Sequence, residues 1–295
     1  MYMGGDMRSK PSGDASLLTQ TRRLLNRLDL KARKSLGQHF LVDRDVLANV
    51  VEAAELAHED VVIEVGPGLG VLTEELAAKA NRIITVELDD KLADILRQRL
   101  APAGNVTVVN GDILKLEPSA LIGNKSIDYK VVANLPYYIT SAVIRHFLEA
   151  SQKPSLMVFM VQKEVAEAIV AEPGRMSLLS VSVQFYGKPQ IAGYAPAACF
   201  YPPPEVDSAI LRIDLYPQPA VAVDDVDGFF RLVKAGFTAS RKQLPNSLAL
   251  GLGLPKAEVI PLLDEAGIIS QRRAETLSLE EWHRLWQVLK ERQKC

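Results

Sequence analysis

Cysteine is scarce in this chain, and long apolar runs are missing. Cys199 and Cys295 are the only cysteines among 295 residues, which excludes a disulfide-stapled scaffold and leaves too few thiolates for a cysteine-based metal site. We therefore expect a reducing compartment, the cytoplasm, and no bound metal. The apolar stretches, such as 156–161, are too short to span a bilayer, and the polar stretch 1–13 lacks the apolar segment of a signal peptide. No membrane partner is expected.

An excess of charge of one sign is also missing, since 34 basic and 36 acidic side chains give a net charge of −2. With 48% apolar and 24% charged residues, the composition is globular and excludes a disordered or collagen-like chain. The charge is nevertheless uneven: residues 1–34 carry eight basic and three acidic side chains, a net charge of +5. This basic head, which includes Arg22, Arg23 and Arg27, is either a solvated tail or a phosphate-binding arm, and charge alone leaves both open.

Short apolar runs alternate with helical patterns through the first half of the chain. This alternation predicts a parallel sheet covered by helices on both faces, as in Rossmann-like α/β proteins. The runs are 61–65, 83–86, 106–109 and 130–133, and the helical patterns cover 45–57, 72–77 and 92–100.

The pattern becomes more strand-rich after residue 155, and it includes the apolar stretches 178–186, 191–195 and 209–215. Beyond a proline-containing linker near residue 218, the chain turns mostly helical. We therefore expect a disordered tail over 1–20, a sheet domain over 21–218 and a small helical domain over 219–295.

Polar residues and glycines stand where the predicted strands end. They are Glu64, Gly66, Glu87, Asp112 and Asn134. Because ligands of open parallel sheets bind beyond the carboxyl ends of the strands, these residues predict a binding site at that edge.

The stretch Glu64–Gly70, with the sequence Glu-Val-Gly-Pro-Gly-Leu-Gly, lies between a strand and a helix. Its glycines fall at offsets of zero, two and four, whereas a dinucleotide fingerprint requires zero, two and five, and no Gly-Lys-Ser/Thr follows to make a P-loop. The spacing suits a methyl donor that carries a nucleoside, with Gly66 and Gly68 facing its methionyl part. A simple tight turn is the alternative.

Two acidic residues complete a predicted pocket for S-adenosylmethionine. Glu87 ends the second strand and is placed to accept hydrogen bonds from the ribose hydroxyls, unless it is an ordinary surface residue. Asp112 ends the third strand and is placed to accept from the adenine amine, unless it only caps the following helix. His39, in the stretch before the first predicted helix, could border the donor.

The tetrapeptide Asn134-Leu135-Pro136-Tyr137 is the most informative motif. An adenine amine is a poor nucleophile, and two acceptors on its hydrogens would turn the lone pair towards a sulfonium and stabilise the developing charge. The Asn134 side-chain oxygen and the Pro136 carbonyl are the candidates, and Tyr137 offers a ring face for stacking. An ordinary turn after a strand is the alternative.

A base in structured nucleic acid must leave its stack to reach such a pocket. Phe200 immediately precedes Tyr201 and the rigid run Pro202–Pro204, and it is the candidate for a second stacking face on that base. The alternative is that Phe200 is a core residue.

Four motifs in this order resemble the KsgA-type ribosomal RNA adenine dimethyltransferases over roughly residues 31–290. They are 36–41 (LGQHFL), 64–70 (EVGPGLG), 134–138 (NLPYY) and 200–208 (FYPPPEVDS). The resemblance implies a class I S-adenosylmethionine-dependent methyltransferase domain with a small helical C-terminal domain. The implied reaction is dimethylation at N6 of two adjacent adenosines in the 3′-terminal hairpin of small-subunit (16S) rRNA, during late small-subunit assembly.

The resemblance also implies residue roles. His39 and Leu41 would border the donor with Gly66, and Asn134 would lie between the donor and the target amine. The C-terminal domain would help to grip an immature small ribosomal subunit. Apart from the resemblance, we expect a monomer by default, since the sequence indicates no oligomeric state. The alternatives are a large-subunit adenine methyltransferase of the antibiotic-resistance type, a non-catalytic RNA-binding assembly or transcription factor, and a small-molecule N-methyltransferase.

Overall fold

The computed structural model describes residues 16–29, 37–123 and 127–293. Residues 1–15 of the expected tail lie outside this part of the chain, but the tail prediction is wrong from Leu17 onward, where helix α1 (Leu17–Arg27) begins. Ser16 caps this helix by accepting a hydrogen bond from the Thr19 N–H, and one apolar face is buried. The first helix is therefore a packed element.

Seven strands form the main sheet, in the order β4-β3-β2-β5-β6-β9-β7. The first five are parallel, and β9 lies antiparallel between β6 and β7. A separate short ribbon pairs β1 with β8. The strands are β1 (Phe40–Leu41), β2 (Val61–Val65), β3 (Arg82–Glu87), β4 (Val106–Asn110), β5 (Tyr129–Asn134), β6 (Leu156–Gln162), β7 (Gly187–Ala195), β8 (Phe200–Tyr201) and β9 (Ser208–Leu215).

Helices cover both faces of this sheet, so its central strands are buried and almost entirely apolar, as parallel strands usually are. Ile63 of β2 packs into a cluster with Phe147, whereas its neighbour Val62 packs on the opposite face with Val50 and Leu76. The helices are α2 (Arg44–Ala53), α3 (Val71–Ala77), α4 (Asp90–Leu100), α5 (Pro118–Ile122), α6 (Thr140–Glu149), α7 (Lys163–Ile169) and α8 (Leu178–Tyr186).

The stretch 178–186, which reads as a strand, is the helix α8. Ser177 and Ser180 form a reciprocal capping box at its start, which supplies partners for the first free backbone N–H groups. Phe185 then faces the C-terminal helices, where its ring lies 5.3 Å from that of Phe229 between centroids. Capping and tertiary packing override the β-propensity of this run.

The C-terminal part is helical, with α9 (Val226–Phe237), α10 (Leu244–Leu252), α11 (Lys256–Glu265) and α12 (Leu279–Gln293). Its helices pack around a core that includes Leu248, Leu263 and the fully buried Trp282, and Phe185 of α8 belongs to the same core. The division of the chain between residues 218 and 219 stays a prediction. Across the described ranges, no helix has both the length and the apolar character needed to cross a membrane.

Candidate active site

A cavity of about 270 Å³ opens at the carboxyl edge of the parallel strands. Five segments line it, each following a strand end or the β1 region, and they contain nine of the ten site residues expected from the sequence. The segments are 37–41, 64–72 without Gly70, 86–88, 111–114 and 134–139. The expected residues among them are His39, Leu41, Gly66, Gly68, Glu87, Asp112, Asn134, Pro136 and Tyr137.

The loop 66–70 requires glycine because its backbone has positive φ angles and because a Cβ atom would crowd neighbouring side chains. Gly68 has φ +57°, and a Cβ there would lie 3.1 Å from the Phe40 ring. Gly70, with φ +80°, begins α3, and a Cβ there would lie 2.9 Å from a Leu96 methyl group. Because only glycine adopts such angles without strain, the loop can pass close under a ligand.

Glu87 connects the glycine loop to the start of α4. One carboxylate oxygen accepts a hydrogen bond from the Gly68 N–H at 3.2 Å, and the other accepts from the Asp89 N–H at 2.9 Å. Burial raises the pKa of this carboxyl above its usual range, although these hydrogen bonds oppose the shift. Each oxygen keeps a lone pair for another donor, such as a hydroxyl.

Glu64 is a second buried carboxyl near Glu87; the sequence places it among the polar residues at the strand ends but indicates no individual role for it. The Thr73 hydroxyl donates a hydrogen bond of 2.6 Å to Glu64, whose side chain is buried. Desolvation raises the pKa of Glu64 to about 8. Its position at the end of a fully buried strand was the only sequence signal available.

Asp112 both caps a short helix and lines the cavity. Its carboxylate accepts a hydrogen bond from the Leu114 N–H at 3.1 Å and lies 3.7 Å from the ammonium of Lys115. The capping alternative is therefore present in the structure, and it leaves the residue at the cavity wall. Its role towards adenine stays a prediction.

One part of the cavity wall is apolar and was not predicted from the sequence. It consists of Leu88, Ile113 and Leu114, which directly follow the polar residues at the ends of β3 and β4. Leu88 is 51% exposed although it is large and apolar. An apolar residue immediately after a polar strand end was the available signal, and flat rings commonly bind between such side chains.

Asn134 is held in one orientation by the segment that precedes α2. Its amide nitrogen donates a hydrogen bond of 3.0 Å to the His39 carbonyl. The amide oxygen is thus the atom left to accept from a ligand in the cavity. This arrangement agrees with the role expected of the side chain, which no comparison tests.

His39 and Tyr137 join the remaining walls. His39 donates from Nδ1 to the Pro202 carbonyl at 2.7 Å, and its ring stacks on Tyr137 with centroids 6.0 Å apart. The Tyr137 hydroxyl lies 2.7 Å from Ser208 Oγ. These contacts tie the 37–41 and 134–139 segments to the chain around β8 and β9.

The Pro136 carbonyl accepts a hydrogen bond of 3.1 Å from the Ile139 N–H, which leaves it one lone pair, and its role as an acceptor stays a prediction. One expectation differs from the structure. Phe200 does not line the cavity: it pairs with Leu41 in the β1–β8 ribbon, is 3% exposed, and belongs to a buried apolar cluster. Phe200 presents no ring face for stacking, because the short ribbon turns its side chain into the core. The alternative, that Phe200 is a core residue, is therefore confirmed.

The sheet and its cavity define a Rossmann-like methyltransferase. A family model described as ribosomal RNA adenine dimethylase matches residues 29–291. A ribosomal RNA small subunit methyltransferase A from Dehalococcoides mccartyi is 53% identical over 276 residues, covering 93% of this chain and 94% of the relative. One from Pelotomaculum thermopropionicum is 43% identical, covering 88% and 92%.

Solved structures show the same fold. The crystal structure of the 23S rRNA methyltransferase ErmE is 32% identical with a TM-score of 0.68, covering 85% of this chain and 99% of that one. A dimethyladenosine transferase from Plasmodium falciparum is 24% identical with a TM-score of 0.72, covering 87% and 98%. The chain belongs to the ribosomal RNA adenine dimethylase family.

This membership confirms the resemblance and the Rossmann-like fold expected from the sequence. It also supports S-adenosylmethionine as the methyl donor. The relatives named as small-subunit methyltransferases favour the small-subunit hypothesis over a large-subunit methyltransferase or a non-catalytic RNA-binding protein. Within the described residues, no group of three or more potential ligands is gathered for a metal ion.

Proposed function

We propose that the protein transfers methyl groups from S-adenosylmethionine to N6 of two adjacent adenosines in the 3′-terminal hairpin of small-subunit rRNA, within an immature small subunit. The observation that carries the proposal is the fixed amide of Asn134, whose oxygen is left free at the end of β5 inside the cavity. The curated relatives named small subunit methyltransferase A support the choice of substrate.

The residues that line the cavity offer a suitable group for each part of the donor. Glu87 would accept from the ribose hydroxyls while its other contacts hold the loop, and Leu88 and Ile113 would cover the adenine ring near Asp112. Gly66 and Gly68 would let the backbone approach the methionyl part, with His39 and Leu41 beside it. When bound, the donor supplies an electrophilic methyl carbon on a sulfonium.

Asn134 would accept a hydrogen bond from the target amine and hold its lone pair in line for attack. The nitrogen would take up the methyl carbon, the sulfur of the donor would keep the electron pair of the broken bond, and the methylated amine would release a proton to water. An amide oxygen aimed at the nitrogen stabilises the positive charge that develops there. Such an acidic cationic amine needs no general base.

A second acceptor would complete the cradle for the amine. The Pro136 carbonyl is engaged with Ile139, whereas no hydrogen bond to the Leu135 carbonyl occurs in the described part of the chain. Leu135 also lines the cavity. We therefore assign the second acceptor to Leu135 in preference to Pro136, with the Tyr137 ring as the adjoining apolar surface.

Methylation of separated ribosomal subunits tests the proposal. Small and large subunits from cells that lack this gene are incubated with the protein and labelled donor, and the rRNA is digested for mass spectrometry. We expect N6,N6-dimethyladenosine at two adjacent positions near the 3′ end of small-subunit rRNA. Label on large-subunit RNA alone, or no label on either, would refute the proposed substrate.

A further inference from the structure

Helix α1 carries three arginines that have no role in the proposed methyl transfer. Arg22, Arg23 and Arg27 are exposed, and the helix contains no acidic residue. Among the described residues, none of the three has an ion-pair partner. The other basic residues of the head before residue 37 lie outside the described part of the chain.

The opposite face of α1 packs behind the wall of the active-site cavity. Leu25 is buried in one cluster with Phe40, Leu69 and Leu92, and Phe40 and Leu69 also line the cavity. The cluster fixes the helix relative to the site, because closely packed apolar side chains do not slide freely. The arginines are therefore held at a set distance from the reacting groups.

One arginine connects α1 to the β1–β8 ribbon. The Arg22 guanidinium lies 4.9 Å from the centre of the Tyr201 ring, and Tyr201 pairs with Phe40, next to the cavity residue His39. Arg23 and Arg27 are four residues apart and share one outer face of the helix. The surface of α1 thus presents fixed positive charge next to the cavity wall.

We propose that this arginine surface of α1, formed by Arg22, Arg23 and Arg27, binds the phosphate backbone of the RNA around the target adenosines. The inference rests on the proposed function, since it extends the same substrate beyond the base to its backbone. Guanidinium groups pair readily with phosphates, and no described acidic side chain competes for these three. The whole helix lies before the region matched by the family model, which begins at residue 29.

The test removes two charges from the exposed face and leaves the Tyr201 contact of Arg22 intact. Binding of Arg23→Gln/Arg27→Gln to small ribosomal subunits that lack the methyl groups is measured from 50 to 200 mM salt at constant magnesium. Each phosphate contact contributes about 0.9 to the slope of log affinity against log salt. Losing two contacts lowers the slope by about 1.8, so the affinity lost over this fourfold range shrinks by about 12-fold.

Two further variants make the result specific. Arg23→Lys/Arg27→Lys keeps the charge, and we expect it to restore most of the wild-type slope. Lys79→Gln/Arg97→Gln removes one exposed charge from the turn before β3 and one from α4, both towards the amino edge of the sheet. We expect this variant to leave the slope unchanged. All variants are first compared with the wild type by thermal unfolding.

The outcomes separate this inference from the proposed function. If the wild type methylates small subunits while Arg23→Gln/Arg27→Gln keeps the full slope and affinity, the RNA-binding role of α1 is wrong. An equal loss in the lysine variant would also overturn it, because charge would then not be the cause. If the wild type methylates neither subunit, the proposed function itself fails.

Discussion

Replacing Asn134 by alanine tests the amide on which the proposed chemistry depends. The change removes the oxygen left free in the cavity and the hydrogen bond of 3.0 Å to the His39 carbonyl. Losing one preorganised group that stabilises transition-state charge costs about 2.7 to 4 kcal/mol, or about 10²- to 10³-fold in rate. The lost hydrogen bond costs only about 1 kcal/mol of folding stability, so the enzyme stays folded.

The assay is single-turnover methyl transfer to small subunits at saturating donor, so that the chemical step is measured apart from binding. Donor affinity is measured separately by calorimetry, and we expect it to change less than the rate does. Asn105→Ala is the matched control: its amide donates to the Ala77 and Ala80 carbonyls at 2.9 and 3.0 Å, and it is not a cavity residue. A rate for Asn134→Ala within threefold of the control would refute the assigned role.

Three more substitutions probe the loop and the buried carboxyls. Gly68→Ala should weaken donor binding more than Gly104→Ala weakens it, because both have positive φ but only Gly68 meets the Phe40 ring; calorimetry measures both. Glu87→Gln should weaken donor binding about 10- to 150-fold, the value of a charged hydrogen bond of about 1.5 to 3 kcal/mol, and unchanged affinity would argue against ribose binding there. Glu64 has a native pKa of about 8 against 4.5 ordinarily, so the native state keeps a proton that the unfolded chain loses. Glu64 therefore lowers the stability by up to about 5 kcal/mol as the pH rises from about 4.5 to about 8. Urea unfolding of the donor-free Glu64→Gln variant should show a smaller fall, left by groups such as Glu87, whose pKa is also raised by burial.

The parallel half of the fold was predictable because its signals are local. Each apolar run from 61–65 to 130–133 lies inside one strand, and the polar residue at its end marks the carboxyl edge of the sheet. Once those ends are aligned by parallel pairing, Glu87, Asp112 and Asn134 must lie near one another. The glycine loop was predictable for the same reason, because closely spaced glycines by themselves indicate a tight turn.

The two stretches that differ from the expectation depend at least partly on distant contacts. Phe200 is buried because β8 pairs with β1 about 160 residues earlier, and no local pattern around the prolines shows this. The stretch 178–186 is helical because of its serine capping box and its packing on the C-terminal helices. The hydrogen bond from the Ile139 N–H to the Pro136 carbonyl is a local contact, but residue type alone does not indicate it.

The β1–β8 ribbon has a consequence for synthesis on the translating ribosome. Leu41 leaves the exit tunnel early, but its partner Phe200 is made only after roughly 160 further residues, which takes about 8 to 32 s at 5 to 20 residues per second. The hydrogen bond from His39 to the Pro202 carbonyl likewise cannot form before that time. A nascent chain that already contains β2 to β6 therefore lacks the contacts that hold the 37–41 wall of the cavity, and they form only after the segment 200–202 has been made.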